Sequence, residues 1–302
     1  MEQITRKAYA KINLGLDVVR RRPDGYHEVK MIMQTVGIYD TLTFKKKEQR
    51  EDVPQIMIKL EQGDTTGTAS LKEELPCDES NLIYKAAALI MKTYDIREGV
   101  EITLLKRIPI AAGMAGGSTD AAAVFHGLNE LFAISMDLEA MKELGVLIGA
   151  DVPYCIMGGT ALSEGIGEIL TPLPAPPAAY LLIAKPDIHV STKFVYENLH
   201  ADRLQFHPDI DGMAKALKAG SLPGITQRME NVLETVTIRE YPVIRQIKEE
   251  MKRNGALNAL MSGSGPTVFG IYEDEETAKK AYEAVKAQGL AKEIFVTDFV
   301  TL

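Results

Sequence analysis

The chain has 302 residues, of which 46% are hydrophobic and 25% are charged, and its formal net charge is −8 at pH 7. This length and composition predict a globular protein with one large or two moderate hydrophobic cores. The acidic balance argues against nucleic-acid binding through a broad basic face. No apolar run reaches the roughly 18 residues of a membrane span, and the N-terminus lacks a secretory signal. We therefore expect a cytoplasmic protein, and the Cys and His spacing indicates no structural metal site.

Apolar periodicity predicts a mixed α and β protein in the first half of the chain. A turn at Pro23–Gly25 separates the first two strand-like stretches, and the polar segment Glu61–Pro76 is typical of a surface loop. Asp78 or Ser80 is placed to cap the first helix. The predicted strands are Ala8–Val19, Val29–Tyr39, Asp40–Phe44, Val100–Leu105 and Tyr154–Leu162, and the predicted helices are Asn81–Tyr94, Ala121–Phe132 and Leu138–Ile148.

The second half opens on a proline-rich stretch, Thr171–Pro177, that can continue neither a helix nor a central strand. We expect a connection between domains there, and we assign an N-terminal domain to residues 1–163 and a C-terminal domain to residues 164–302. Beyond it the patterns predict strands at Tyr180–Ala184, Ala256–Met261, Thr267–Tyr272 and Glu293–Phe299, and helices at Ser191–Leu199, Ile210–Ala219, Val243–Arg253 and Glu275–Ala287.

A glycine-rich segment lies between a predicted strand and a predicted helix. Its small residues let backbone approach a ligand, and the helix would direct free N–H groups and its positive dipole end at the segment. Ser118 and Thr119 add hydroxyls suited to a phosphate or to a Mg²⁺ ion. The pattern is not a Walker A, Rossmann or protein-kinase loop, and a helix cap in a tight turn is the alternative. The segment consists of Pro109, Ile110, Ala111, Ala112, Gly113, Met114, Ala115, Gly116, Gly117, Ser118 and Thr119.

Two charged residues stand in unusual surroundings. Asp151 follows the predicted helix Leu138–Ile148 and precedes a predicted strand, so its carboxylate would feel the negative helix end and would need a cation nearby. Lys11 lies in an apolar run, where a lysine is expected at a solvent edge or beside an acid. A simple turn residue at 151 and a structural lysine at 11 are the alternatives.

Two turns complete the candidate sites. Asp24–His27 places an aromatic ring and an imidazole beside a tight turn, which suits recognition of a nucleobase, and an ordinary turn is the alternative. Met261–Thr267 is a second glycine-rich loop. It is either the connection of a hairpin or a second wall of a phosphate or substrate site.

Together these segments resemble the GHMP kinase superfamily, whose three motifs are matched in order by Ala10–Asn13, Pro109–Thr119 and Met261–Thr267. Within it the chain is similar to the 4-diphosphocytidyl-2-C-methyl-D-erythritol kinase family, over essentially its whole length. The segments closest to that family are Ala10–Leu14, Pro23–Glu28 and Gly149–Pro153. The Asp-Gly-Tyr-His piece distinguishes this family from other GHMP kinases.

The resemblance implies an α+β fold with two domains. The N-terminal one would be a ribosomal protein S5 domain 2-like α/β domain and the C-terminal one ferredoxin-like. It also implies a reaction, in which ATP, used with Mg²⁺, phosphorylates the 2-hydroxyl of the methylerythritol moiety in the non-mevalonate isoprenoid pathway. The implied partner is this small cytidine diphosphate substrate, with no nucleic acid and no membrane, and the chain would be a monomer or a homodimer.

Roles for individual residues follow from the same resemblance. Asp151 is implied to be the base that accepts the hydroxyl proton, with Lys11 keeping it ionised and orienting the hydroxyl. Asn13 would assist near that hydroxyl. Tyr26 and His27 match the pair that recognises cytosine, and Tyr196 falls where a second aromatic ring covers the base. The segment Pro109–Thr119 would bind ATP.

The chain departs from the family pattern at two places. Tyr9 stands where the family usually has proline, before Ala10. Ala111, Ala112 and Ala115 stand where some relatives carry glycine, and alanine still admits a close approach to a ligand. Two rival functions are another GHMP kinase, acting on homoserine or mevalonate, and a non-catalytic nucleotide-binding relative. Tyr26 and His27 argue against the first, and the Lys11 and Asp151 pair argues against the second.

Overall fold

The computed structural model describes residues 2–48, 55–61 and 75–301, so most of the predicted loop Glu61–Pro76 lies outside the described residues. Contacts divide the chain into two compact units. Unit 1 comprises Met1–Ala10, Ile38–Ile110 and Ala115–Met157, and unit 2 comprises Lys11–Gly37, Ala111–Met114 and Gly158–Leu302. The chain therefore passes between the units several times, and the domain boundary after residue 163 stays a prediction.

Two long strands open the chain and each contributes residues to both units. β1 (Gln3–Arg21) pairs with β2 (His27–Lys47), and the chain reverses at the predicted turn, where Gly25 has a φ of 90°. The two strands predicted on either side of Asp40 are one continuous strand. Asp40 does not interrupt it because its buried carboxylate accepts hydrogen bonds from the backbone N–H groups of Arg107 and Ile108.

Unit 1 packs helices against one face of a sheet. In this unit β3 (Ile56–Leu60) is parallel to β4 (Gly99–Leu105), and β4 is antiparallel to β2. The first helix is capped by Asn81 rather than by Asp78 or Ser80, because the Asn81 side chain accepts the N–H of Ile83. The helices of unit 1 are α1 (Leu82–Thr93), α2 (Gly116–Leu131), α3 (Leu138–Gly145) and α4 (Val152–Met157).

The core of unit 1 lies between β2, β4 and the helices. Phe44 and Phe125 are fully buried in it. Gly127 of α2 lies directly over the Phe44 ring, and a Cβ at Gly127 would come within 2.5 Å of that ring. This close approach fixes how α2 rests on β2, and α2 carries the end of the glycine-rich segment.

The strand predicted at Tyr154–Leu162 is wrong. Residues Val152–Met157 form the short helix α4, and a strand, β5 (Thr160–Glu164), follows the two glycines Gly158 and Gly159. A short apolar run is compatible with either a buried strand or a buried helix, so periodicity alone does not decide it. Packing decides it here, because α4 lies against α2 and α3.

In unit 2, two antiparallel strands extend the sheet that contains β2. β5 pairs with β2, and β6 (Ile169–Leu173) pairs with β5. The prediction that Thr171–Pro177 is only a connection is therefore wrong in its first part, since Pro172 lies within β6. β6 is the last strand in its sheet order, and proline is tolerated there because an edge strand leaves one row of N–H groups unused.

The second sheet of unit 2 is antiparallel, and its strands lie in the order β10 (Glu293–Asp298), β7 (Tyr180–Lys185), β9 (Val268–Tyr272) and β8 (Asn258–Met261). Its β-α-β-β-α-β succession confirms the predicted ferredoxin-like topology. The short helices α7 and α8 carry too few residues for a periodic signal and were not predicted from sequence. The elements are β7 (Tyr180–Lys185), α5 (Thr192–Asn198), a 3₁₀ turn (Ala201–Arg203), α6 (Ile210–Lys218), α7 (Leu222–Thr226), α8 (Glu234–Glu240), α9 (Val243–Arg253), β8 (Asn258–Met261), β9 (Val268–Tyr272), α10 (Glu275–Ala287) and β10 (Glu293–Asp298).

No helix within residues 2–48, 55–61 and 75–301 combines the length and the apolar character that crossing a bilayer requires.

Candidate active site

The glycine-rich segment joins β4 to α2 and contains several residues in the left-handed backbone region. Gly113 has a φ of 71°, Ala111 of 51° and Ala115 of 56°. Ala115 precedes the first residue of α2 and provides no side-chain cap. The opening N–H groups of α2 are therefore not capped by a side chain, which is the arrangement that binds anions at helix N-termini.

The second glycine-rich loop lies against the first within unit 2. The Ser262 hydroxyl donates to the carbonyl of Gly113 at 2.9 Å, and a Cβ at Gly113 would come within 3.0 Å of the Gly265 carbonyl. Met261–Thr267 also connects β8 to β9, with the Ser262 N–H donating to Thr267. The hairpin alternative is thus confirmed, and the loop also packs on the glycine-rich segment. Its role as a second wall of a phosphate or substrate site stays a prediction.

Lys11 and Asn13 lie beside the meeting point of these two loops. The Lys11 backbone N–H donates to Met114 at 3.2 Å, and its ammonium donates to the Asn13 amide oxygen at 2.8 Å. Both side chains are buried, Lys11 being 5% exposed. A Cβ at Gly263 would be 3.6 Å from the Asn13 amide oxygen. Three motifs predicted from sequence therefore meet within unit 2.

Asp151 belongs to unit 1 and has a different setting from the one predicted. It immediately precedes α4, and its carbonyl accepts the N–H of Cys155 at 3.0 Å, which is the first turn of that helix. The strand expected after Asp151 is a helix, so the residue lies at a helix start as well as after α3. Helix starts favour carboxylates, which removes part of the argument that Asp151 needs a cation. Its pairing with Lys11 stays a prediction.

A buried ionic cluster in unit 1 was missed by the sequence reasoning. The Lys106 ammonium contacts Asp40 at 2.5 Å and Asp120 at 2.7 Å. The other oxygen of Asp40 accepts the N–H groups of Arg107 at 2.5 Å and Ile108 at 2.8 Å. The cluster therefore fixes both ends of the glycine-rich segment, since Lys106 precedes it and Asp120 follows it. The signal available in the sequence was a lysine shortly before the glycine-rich segment and an aspartate directly after it.

The environment of the cluster shifts two of its pKa values. Burial raises the pKa of Asp120 well above 3.8, and Asp40 beside it adds to that effect against the opposing influence of Lys106. Burial alone would lower the pKa of Lys106, but the two carboxylates outweigh it and raise that pKa. One oxygen of Asp120, Oδ1, has no hydrogen-bond partner among the described residues. An ionised Asp120 is thus poorly compensated.

Thr119 and Tyr9 are connected in unit 1. The buried Thr119 hydroxyl donates to the Tyr9 carbonyl at 2.7 Å. This hydroxyl proton is therefore already used in a hydrogen bond within the protein. Ser118 is more accessible and keeps the hydroxyl that the sequence suggested for a phosphate or metal. Tyr9 continues β1 without a break and packs its ring edge-on against Tyr39 at 5.2 Å. Tyr9 is therefore accommodated as an ordinary strand residue.

The predicted base-binding residues are partly brought together in unit 2. The His27 ring lies 5.1 Å from that of Tyr196, across 169 residues of sequence, with an angle of 42° between the ring planes. Tyr26 is 61% exposed at the tip of the β1–β2 turn, and its N–H donates to the Asp24 carboxylate. Burial, assisted by Arg21, lowers the pKa of His27 below 6.5. A neutral imidazole offers one donor and one acceptor.

Helix α5 links this aromatic pair to the second glycine-rich loop. It carries Tyr196, and its first residue, Thr192, shares a hydrogen bond of 2.8 Å with the hydroxyl of Ser264. The helix is itself capped by Ser191, which accepts the N–H of Phe194. A movement of the loop would therefore shift α5 and with it the Tyr196 ring, which lies beside His27.

The cluster predicts different effects for two isosteric substitutions. Asp120→Asn should raise the free energy of unfolding at pH 7 by about 1 kcal/mol, because it removes a poorly compensated buried charge. Asp40→Asn should lower it by about 3 kcal/mol, because it weakens the ion pair and the acceptor of two backbone N–H groups.

The raised pKa of Asp120 also predicts how the stability difference between the wild type and Asp120→Asn changes with pH. A carboxyl group whose folded pKa is raised binds more protons when folded, so its contribution to stability falls as pH rises from 3.8. The advantage of Asp120→Asn should therefore shrink towards pH 4 in thermal unfolding. Equal destabilisation by both substitutions would contradict the account.

The left-handed alanine at the start of α2 gives a second prediction. Ala115→Gly should raise the free energy of unfolding by about 0.5–1 kcal/mol, because glycine adopts this conformation without a Cβ clash. Ala112→Gly is the matched control, since Ala112 is buried and is not left-handed. It should lower the free energy of unfolding by about 1 kcal/mol. Equal thermal midpoints for the two variants would refute the assignment of strain to Ala115.

Comparisons with known proteins agree with this arrangement. The family described as "GHMP kinases N terminal domain" matches residues 81–159, and "GHMP kinases C terminal" matches residues 213–291. The chain is 50% identical to the 4-diphosphocytidyl-2-C-methyl-D-erythritol kinase of Lachnoclostridium phytofermentans, over 99% of this chain and 98% of the relative. It is 49% identical to the protein of the same name from Lachnospira eligens, over the full length of both.

A solved structure supports the same conclusion. The crystal structure of a 4-(cytidine 5'-diphospho)-2C-methyl-D-erythritol kinase superimposes with a TM-score of 0.78 and 31% identity, over 99% of this chain and 100% of that one. The predicted α+β GHMP kinase fold is thus confirmed. The chain belongs to the 4-diphosphocytidyl-2-C-methyl-D-erythritol kinase family of the GHMP kinases.

Proposed function

We propose that this chain is an ATP-dependent kinase that phosphorylates the 2-hydroxyl of 4-(cytidine 5'-diphospho)-2-C-methyl-D-erythritol, a step of the non-mevalonate isoprenoid pathway. The observation that carries the kinase assignment is the convergence of Lys11 and Asn13 on the two glycine-rich loops. Family membership supports the choice of substrate. The products would be the 2-phosphate and ADP.

The reacting groups follow from the family match and from the local geometry. The substrate oxygen would attack the γ-phosphorus of ATP, the bond to the β-phosphate oxygen would break, and the hydroxyl proton would pass to Asp151. Lys11, held by its hydrogen bond to Asn13, would place a positive charge near the hydroxyl. Catalysis of this kind relies mainly on positioning and on charge stabilisation.

ATP is proposed to bind the segment Pro109–Thr119, with its phosphates at the uncapped start of α2. Among the described residues, no group of three or more His, Cys, Asp or Glu could hold a metal ion. In kinases Mg²⁺ is usually held by substrate phosphates, water and one or two protein groups. Ser118 is the proposed protein ligand. When bound, the ion would neutralise charge on the phosphates.

Substrate selection is proposed to lie with Tyr26, His27 and Tyr196. The neutral His27 can both donate to and accept from the edge of a cytosine, and the tyrosine rings can stack on its face. The tilted contact between His27 and Tyr196 supports this role. Homoserine and mevalonate have no base, so a kinase for either would have no use for these residues.

We also propose a cytoplasmic location, where ATP and the cytidine diphosphate substrate would be available. The evolutionary domain boundary is proposed between residues 163 and 164, because the two matched family segments fall on either side of it.

A substrate panel tests the function directly. Purified protein with Mg-ATP should release ADP with the cytidine diphosphate substrate and should show no turnover with homoserine or mevalonate. The same substrate without its cytidine monophosphate part should be phosphorylated far less efficiently, because the base contacts are lost. Turnover with homoserine or mevalonate but not with the cytidine compound would overturn the assignment.

The proposed base gives a second test. Asp151→Asn should keep the affinities for ATP and substrate while lowering kcat by about 10²–10⁴-fold, the usual contribution of a general base. Asp202→Asn is a matched control, because Asp202 is an exposed carboxylate paired only with its neighbour Arg203 in the described structure. It should retain full activity. An active Asp151→Asn variant would exclude Asp151 as the base.

A further inference from the structure

A cavity of about 460 Å³ lies in unit 2, bordered by α8, α9 and β8. None of its lining residues belongs to the segments assigned above to ATP or to the cytidine substrate. Phe206, Met229, Ile238 and Leu260 supply an apolar part, and Gln227, Asn231 and Asn258 supply amides. A cavity of this size and mixed lining matches a small organic ligand.

The charged side chains around this cavity are mostly cationic, although the chain as a whole is acidic. Four cationic side chains line it, namely Arg239, Arg245, Lys248 and Lys252, and only two carboxylates, Glu230 and Glu234. Arg245, Lys248 and Lys252 are spaced three and four residues apart on α9, so they share one face of that helix. Convergent cations in a concave site raise the local concentration of anions.

Among the residues that the structure describes, three of these cations have no carboxylate partner. In the part of the chain that the structure describes, Arg239, Arg245 and Lys252 form no ion pair, whereas Lys248 contacts Glu234 at 2.5 Å. Arginine presents a planar fork that matches phosphate oxygens, and lysine adds a point charge. A phosphate placed among the three would gain cations that no carboxylate holds in the described structure, and Lys248 lies beside Arg245 and Lys252 on the same face of α9.

The wall of the cavity is formed by the same side chains that hold the second glycine-rich loop. Glu234 accepts the N–H of Met261 at 2.9 Å. Asn231 donates to the carbonyls of Met261 and Gly263, both at 2.8 Å. The loop then contacts Gly113 through Ser262. An anion that attracted Lys248 away from Glu234 would therefore alter how Glu234 holds this loop.

We propose that this cavity is a second, regulatory site for a small organic phosphate or diphosphate, and that its occupancy is transmitted to the loop Met261–Thr267. The cations bind the phosphate groups, and the apolar part holds the carbon portion of the ligand. Binding does not depend on the function proposed above. The regulatory consequence does rest on it, because it assumes that the loop serves the kinase site.

Inorganic pyrophosphate is the probe, titrated calorimetrically into the full chain with a non-hydrolysable ATP analogue at saturation to occupy the glycine-rich segment. The double variant Arg245→Gln/Lys252→Gln should bind pyrophosphate about tenfold or more weakly than the wild type. The control is Lys279→Gln/Lys280→Gln on α10, which removes two exposed cations that are not part of the cavity lining and are already paired with Glu275 and Glu276. It should change affinity by less than about twofold, since exposed and paired charges contribute little.

Coupling to the loop is measured by hydrogen exchange under the same conditions. Pyrophosphate should slow exchange of the Met261 amide in the wild type, because Glu234 loses its lysine partner and holds that amide more tightly. The Arg245→Gln/Lys252→Gln variant should show no such change. Binding that is undetectable in the wild type, or equal in the wild type and this variant, would overturn the site. Faster or unchanged exchange on binding would overturn the coupling.

These outcomes are separable from failure of the proposed kinase function. Calorimetry and hydrogen exchange need no turnover. If the ATP analogue does not occupy the glycine-rich segment, pyrophosphate bound there would persist in the Arg245→Gln/Lys252→Gln variant. If the variant lost pyrophosphate binding at the cavity but kept it at the glycine-rich segment, the result would argue against the ATP assignment and support the second site.

Discussion

The Lys106 ammonium, held between the carboxylates of Asp40 and Asp120, is the interaction on which the rest of unit 1 depends. It connects the middle of β2, the end of β4 and the first turns of α2, which are separated widely in sequence. All three side chains are almost completely buried. Removing the one cation, Lys106, would leave two carboxyl groups without a counter-charge in an apolar interior, and loss of such a partner usually costs about 3–5 kcal/mol.

The same cluster also sets the electrostatics beneath the proposed ATP segment. If both carboxylates were ionised, the cluster would carry a net negative charge close to the start of α2 and would repel phosphates. Burial raises the pKa of Asp120, which moves the cluster towards neutrality and leaves the positive end of α2 available. The Lys106 ammonium lies 3.1 Å from where a Cβ at Gly116 would stand. One group of residues would therefore meet both the structural demand and the proposed functional one.

The sequence could predict what depends on local pattern. It placed both glycine-rich loops, the β8–β9 hairpin and α10 correctly, because turn residues and apolar periodicity carry that information. It could not predict the ionic cluster, since Asp40 and Lys106 are 66 residues apart and nothing local pairs them. The helix α4 was missed for a related reason, because packing on α2 and α3 determines its conformation. That error also changed the electrostatic argument for Asp151.

The residues proposed to recognise the base and the second glycine-rich loop are joined by contacts within unit 2. His27 contacts Tyr196, although the two residues are 169 positions apart in sequence. Tyr196 lies on α5, and Thr192 of the same helix shares a hydrogen bond with Ser264. Ser262 in the same loop donates a hydrogen bond to the Gly113 carbonyl, in the proposed ATP segment. A base that stacked on Tyr196 would thus restrain α5, and α5 would restrain the loop. Correct substrate would then favour the loop position that supports phosphoryl transfer, so selectivity and positioning would share one connected set of hydrogen bonds.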